Sequence, residues 1–374
     1  MRVYSRTVAA AVASVSRSAL TGRAAQSRHR SAPLLRRSLA SQAEQLREFT
    51  TSEYEEMRDD TARTDAYARA LRAVVQPHHV VVDVGTGCFA LLAIEAARAG
   101  ADHVYAIEAN FEAYEAARRA VTKAGLDASI TVVYGAASAV TLPEKADVLV
   151  HELLGEIAGR ESSAAIIRAA VPRLCHSGTV SIPASARSWC VPAELQVIDA
   201  RGLPMLVPPP EAATLRIHGF DFAKHALAAP RAFELLDYSK PGRLSAVCET
   251  TVDFTVERDG LLGGFSCFLT CDMLTDEPFT LDRRHFDSPH APTARTAFSS
   301  AWPGTSWANP VVRLNCVKNG SIFVAEGDVV RATMGANLRA FKPVYSLRAH
   351  LLRRPAAGDE GFPEECLLTD VSFE

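Results

Sequence analysis

Glu152 and Glu161 stand nine positions apart in the stretch ADVLVHELLGEIAGRE, with Gly155 and Gly159 between them. Val148, Leu149 and Val150 form a short apolar run that predicts a buried strand ending at the first glutamate. Glycines let the following loop fold back, so two carboxylates can close on one ligand. A guanidinium suits such a clamp: it is planar, permanently charged, and its fork of donors matches carboxylate oxygens. A solvated loop after a strand would contain the same residue types, so the flanking sequence must decide. Glu156 lies in the same loop but outside the paired pattern, and is expected to tolerate glutamine.

Upstream, HVVVDVGTGCFALLAIEAARAGADHVYAIEAN runs from His79 to Asn110. It predicts a buried strand at Val80–Val84, a tight turn at Gly85 and Gly87, a helix over 90–99 and a second strand at Val104–Ile107. Glu108 then stands 23 residues after the first glycine. Glycines let a ligand approach the backbone, and an acid at the end of the second strand can accept hydrogen bonds from both ribose hydroxyls. Nucleoside binding is therefore the second chemistry expected.

Other elements must position these groups. Residues 44–74 read as an amphipathic helix closed by Gln76-Pro77. A helix over 111–124, a strand over 130–134, the strand before Glu152, a helix over 164–174 and a strand over 179–182 continue the alternation. That order argues a doubly wound parallel sheet, a Rossmann-like α/β domain spanning 44–183 with its leading helix as a lid. From Ala184 to the end, short apolar strands predict a β-rich, barrel- or sandwich-like second domain, with an Ala-rich helical insert at 219–245.

The first 43 residues contain eight arginines and no acid. That composition is expected of a mitochondrial transit peptide, with a plastid address or a cytoplasmic protein with a basic tail as the alternatives. The remaining chain holds 32 basic against 43 acidic residues, a net of −11. It should attract a basic partner and not bind nucleic acid directly. No apolar run approaches the ~20 residues of a membrane helix, so no membrane partner is expected. The eight cysteines form no CxxC pair, and no metal site is expected.

Asp83, Gly85 and Gly87 resemble the first motif of class I S-adenosylmethionine-dependent methyltransferases, with Phe89 where that family has a third glycine. Over about Tyr54 to Arg348 the chain resembles the protein arginine N-methyltransferases. The segment YEEMRDDTARTDAYARAL is similar to the helix that closes over the cofactor, LPEKADVLVHELLGEIAGRE to the double-glutamate loop, HGFDF to the lead-in of a dimerisation arm, and Thr305-Ser306-Trp307 to a threonine-histidine-tryptophan loop. The resemblance implies S-adenosyl-L-methionine as cofactor and a protein substrate with exposed arginines. It implies a homodimer, with residues 219–245 as candidate arm. Cofactor binding then falls on Tyr54, Arg63, Asp83, Gly85, Gly87, Glu108 and Ser138, with Arg63 on the methionine carboxylate and Ser138 replacing an acid. Catalysis falls on Glu152 and Glu161, and the substrate channel on Met57 and Trp307. Asp60 and Ser306 are expected to support the site through a hydrogen bond between them. Two alternatives stay open: a class I methyltransferase with another acceptor, or a non-catalytic assembly factor that keeps the fold.

Overall fold

A computed structural model describes residues 51–195, 213–275, 297–302, 305–317, 320–339, 342–353 and 365–373. The expected transit peptide and residues 44–50 lie outside them. The expected leading helix is two helices, α1 (Thr51–Asp59) and α2 (Thr61–Val74). The break is at Asp60, whose side chain caps α2 by accepting from the Arg63 amide at 3.2 Å. A short acid inside a helical pattern favours such a cap over continuing the helix.

Five parallel strands follow in the order β3-β2-β1-β4-β5. They are β1 (Val80–Val84), β2 (His103–Glu108), β3 (Ile130–Tyr134), β4 (Ala146–His151) and β5 (Cys175–Ile182). Every residue of VVVDV in β1 is buried, as a central parallel strand covered on both faces requires. The helices between them are α3 (Leu91–Arg98), α4 (Phe111–Ala124) and α5 (Ser163–Leu174). α4 shows why the sequence breaks where it does. Asn110 caps it by accepting from the Glu112 and Ala113 amides, Ala113, Ala117 and Val121 face the core, and Gly125 ends it at φ 70°.

Among the described residues after Pro183 all strand pairing is antiparallel. β6 (Ser185–Glu194) pairs along its length with the 13-residue β10 (Gly260–Asp272), and with β8 (Arg231–Asp237) on its other side. β7 (Thr214–His218) joins the same sheet through β12 (Ala308–Arg313). The short strands β11 (Ala297–Ser299) and β13 (Ile322–Val324) also pair with β10. A second sheet joins β9 (Val247–Thr255), β14 (Val329–Asn337), β15 (Val344–Leu352) and β16 (Glu365–Phe373) in the order β16-β15-β14-β9, and buried and outward residues alternate along most of β15. The segment 219–245 differs from the helical insert expected: it holds one helical turn, α6 (Phe222–His225), a 3₁₀ turn and strand β8. Four of its alanines precede β8 and Ala232 lies within it, while Phe233 and Leu236 of that strand are buried, so burial of a strand outweighs helix propensity here. Parallel and antiparallel parts share one hydrophobic core, from Val81 and Ile107 to Phe254, Phe265 and Tyr345.

Candidate active site

The site forms where β1, β2 and β4 end side by side, under α1. β1 pairs with β2 and β4 in register, so Val84 lies beside both Ile107 and His151. The glycine turn, Glu108 and Glu152 therefore leave the sheet at one edge, the usual ligand crevice of an open α/β sheet.

Gly85 and Gly87 adopt φ of 76° and 66°, which side chains resist. A Cβ at Gly85 would lie 2.8 Å from Leu153, and one at Gly87 3.2 Å from the Tyr54 ring. Leu153 and Tyr54 thus depend on bare backbone beneath them. Ala90 also has positive φ, 46°, and is fully buried, so the turn carries one strained non-glycine residue. Phe89, at the third-glycine position, lies in the cavity wall with the Arg58 guanidinium 5.0 Å above its ring.

Glu108 is buried, and its two oxygens accept from the Gly87 amide at 2.9 Å and the Asn110 amide at 2.8 Å. Burial nevertheless pushes its carboxyl above the ordinary range. With the Ala109 amide also bonded to it, the carboxylate still has lone-pair capacity left for a ribose hydroxyl. Asp83 stands behind the turn, accepts from Thr86 Oγ1 at 2.6 Å and the Ala93 amide at 3.1 Å, and so anchors the start of α3, where Ala90 offers no cap. Its burial pushes it up to about 7. Ser138 is half-buried in the loop after β3 and outside the cavity wall.

The lid and the clamp meet at Arg63. Its Nη1 donates to Glu152 Oε2 at 2.8 Å, its Nη2 to the Met57 carbonyl, and its guanidinium lies 5.8 Å from the centre of the Trp307 ring. Arg63 was expected on the cofactor carboxylate; here it is paired with the first clamp glutamate. The Glu152 side chain is 16% exposed, its Oε1 has no hydrogen-bond partner among the described residues, and burial outweighs Arg63 to raise its pKa. Glu161 lines the same cavity, and burial, then Glu152 and Glu156, push it up to about 8. Two carboxylates lining one cavity, one with an oxygen unbonded among the described residues, call for another cation. Asp60 ties this corner to the barrel: its Oδ2 accepts from the Ser306 amide at 2.8 Å and from Ser306 Oγ at 3.0 Å. That loop sets Trp307, which stacks on Phe298 with centroids 5.1 Å apart.

Three features were not visible in the sequence. Glu234 of β8 accepts from the Gly159 amide at 3.2 Å and from Ser188 and Tyr345 hydroxyls, so the barrel grips the glutamate loop. Glu156 is buried and bonds Arg160 at 2.8 Å, with Arg216 of β7 on its other oxygen. That corrects the expectation of tolerance, since removing one partner of a buried pair leaves uncompensated charge. The spacing of Glu156 and Arg160 hinted at a pair; Arg216, 60 residues on, gave no signal. Finally, His151 is fully buried, edge-on to Tyr238 at 4.5 Å, with both ring nitrogens unpartnered among the described residues. Burial lowers it to about 3, so it is neutral beside the clamp.

The donor set fits a nucleoside carrying a carboxylate: acid for ribose, bare backbone at the turn, and an arginine across the cavity. The described residues contain no His, Cys, Asp and Glu group able to hold a metal, and no helix long and apolar enough to cross a membrane.

Residues 62–166 match the family model described as ribosomal protein L11 methyltransferase (PrmA). Over 151 residues the chain is 38% identical to protein arginine N-methyltransferase PRMT10 of Arabidopsis thaliana, covering 39% of this chain and 38% of that protein. Over 103 residues it is 42% identical to the probable histone-arginine methyltransferase CARM1 of Oryza sativa subsp. indica, covering 27% of this chain and 19% of that one. The chain thus spans under two-fifths of these curated relatives. A crystal structure of Arabidopsis thaliana protein arginine methyltransferase 10 superposes with TM-score 0.65 at 20% identity, covering 88% of this chain and 99% of that one. The Trypanosoma brucei PRMT1 enzyme-prozyme heterotetrameric complex with AdoHcy superposes with TM-score 0.62 at 18% identity, covering 84% and 98%. The fold is that of these structures: a Rossmann-like methyltransferase sheet followed by a β-barrel.

Proposed function

We propose that this chain, a relative of the protein arginine N-methyltransferases in sequence and fold, transfers methyl groups from S-adenosylmethionine to guanidinium nitrogens of arginines in proteins. One observation carries the reading: Glu152 and Glu161 of a single loop line one cavity, one with a buried oxygen unbonded among the described residues and the other pushed up to about 8. A methyltransferase for a neutral or carboxylate acceptor would gain nothing from that pair.

Glu108 would accept from the ribose hydroxyls, the bare turn at Gly85 and Gly87 would admit the nucleoside, and Tyr54 would cover it. Arg63 would hold the carboxylate end while keeping Glu152 in place; a guanidinium has five donors, so both tasks are compatible. S-adenosylmethionine supplies a methyl group already activated on a sulfonium. What the chain must add is alignment and charge placement. Glu152 and Glu161 would hold the substrate guanidinium so that one nitrogen faces the methyl group, and Trp307 would wall its aliphatic stem. The guanidinium, with a pKa above ~12, stays charged until transfer. One proton leaves the nitrogen as the new bond forms, and a carboxylate that holds a proton up to about pH 8 is suited to take it.

The cavity under α1 holds about 120 Å³, below the ~300–1,000 Å³ of typical ligand sites. α1 therefore has to shift to admit a nucleoside and can close again over it. We assign the basic, acid-free residues 1–43 an address function for mitochondria and the assembled enzyme a homodimeric state, the first on composition and the second on resemblance. The function is tested by incubating the chain with methyl-labelled S-adenosylmethionine and matched peptides bearing arginine or lysine. Label on arginine nitrogens alone is the expected result. Cofactor binding with label on lysine or on neither peptide would remove the arginine reading.

A further inference from the structure

Past Glu161 and Met57, which line both spaces, lies a wider cavity of about 530 Å³. Its walls differ in charge. α1 contributes Glu53 and Glu56; the glutamate loop and β7 contribute Arg160, Arg216 and His218. Arg216 and His218 alternate along β7 and so share a face.

The basic wall is built. Glu156 is 7% exposed, and its two oxygens are divided between Arg160 Nη1 and Arg216 Nη2. One buried carboxylate thus positions two guanidiniums. Gly155 makes this approach feasible: a Cβ there would lie 2.7 Å from the Arg160 Cβ and 3.4 Å from the Glu161 Cγ. The Arg216 side chain lines this cavity and remains 68% exposed. An arginine held at a cavity wall by a buried acid keeps donors that a carboxylate can meet.

Granting the arginine-methyltransferase reading above, we propose that this second cavity receives the substrate segment beside the target arginine, and that Arg216, held with Arg160 by Glu156, selects for an aspartate or glutamate there. A guanidinium deep between Glu152 and Glu161 places the neighbouring peptide residues at the mouth, where the two charged walls stand. The acidic wall of α1 then disfavours a carboxylate on its side, so the preference is positional and not general. A run of basic and glycine residues around the target arginine would leave the Arg216 wall unmatched.

The test uses the full chain with S-adenosylmethionine and peptides containing one arginine, each carrying glycine, aspartate or lysine at one of the three positions on either side. kcat/KM is measured by mass spectrometry. At one or more positions aspartate should exceed lysine by ~10-fold, the scale of a like- against opposite-charge contact at a partly exposed site. The ratio should shrink in high salt, fall toward one in Arg216→Gln and invert in Arg216→Glu. S-adenosylmethionine affinity, measured by calorimetry, reports whether each variant is folded. Equal rates for aspartate and lysine peptides at every position would overturn the proposal, as would an aspartate preference unchanged in folded Arg216→Glu. Failure to methylate any arginine peptide while the cofactor binds would instead defeat the function on which it rests, and the proposal with it.

Discussion

At the scale of single residues, the site depends on carboxylates kept out of water. Glu161 is the clearest case, because its pKa of about 8 lies within an accessible range. The free enzyme should hold a proton on Glu161 below that pH, and a substrate guanidinium has to displace it. kcat/KM for an arginine peptide should therefore rise from pH 6.5 to about 8 and level off above, since this ratio reports ionisations of the free enzyme. Glu161→Gln should lose that limb along with most activity. Stability shifts in the opposite sense. The folded chain keeps the Glu161 proton through a pH range where the unfolded chain has released it, so this group's contribution falls as pH rises toward about 8. Thermal melts of the free protein should show Glu161→Gln more stable than the natural chain at pH 9 and closer to it at pH 5. A natural chain that is the more stable at pH 9 would mean that Glu161 is not forced into an unfavourable charge. The residue types of the clamp were legible in the sequence, because Glu152 and Glu161 bracket two glycines after a clear strand. Their environment was not. Nothing in the spacing showed that Arg63 would reach Glu152, that Asp83 would brace the turn, or that Glu156 would carry two arginines; each depends on segments brought together only in the fold.

At the scale of elements, local signals located most of the parallel sheet. α4 begins and ends on its predicted residues because Asn110 and Gly125 are strong caps at both ends. The leading helix broke at Asp60 because that acid has two uses, capping α2 and receiving Ser306 from the barrel. β8 was misread as helix, since the alanine-rich stretch leading into it states a propensity that burial against β6 overrides. The same strand supplies Glu234, and this is where the barrel acts on the glutamate loop. A Cβ at Gly159 would lie 2.6 Å from Glu234 Oε1 and 2.9 Å from the Tyr345 hydroxyl. Gly159→Ala should cost ~2–3 kcal/mol of stability by overpacking and should lower kcat more than cofactor affinity, because the displaced loop carries Glu161. Chemical denaturation and calorimetry of that variant check both parts; an active, equally stable Gly159→Ala protein would show that the loop is not gripped there. α1 makes a second test. If it closes over the nucleoside, S-adenosylmethionine should slow amide hydrogen exchange across residues 51–58, with little change in β1. Uniform exchange with and without the cofactor would leave α1 no role as a lid.

At the scale of the whole molecule, the two sheet systems share one core, and the site lies where they meet, so catalysis should require both. The assignment of a mitochondrial address is checked by fusing residues 1–43 to a fluorescent reporter, which should enter mitochondria of the source cells; diffuse cytoplasmic signal would contradict it. The central claim is that Glu152 and Glu161 together hold the substrate guanidinium, and turnover of an arginine peptide by Glu152→Gln, Glu161→Gln and the double variant tests it most directly. Each single change should lower kcat by ~10²-fold or more, the effect of losing one preorganised electrostatic contact. The double variant should be scarcely slower than the poorer single, because groups acting as a unit are not additive. Near-natural turnover in both single variants, with cofactor affinity retained, would contradict the claim.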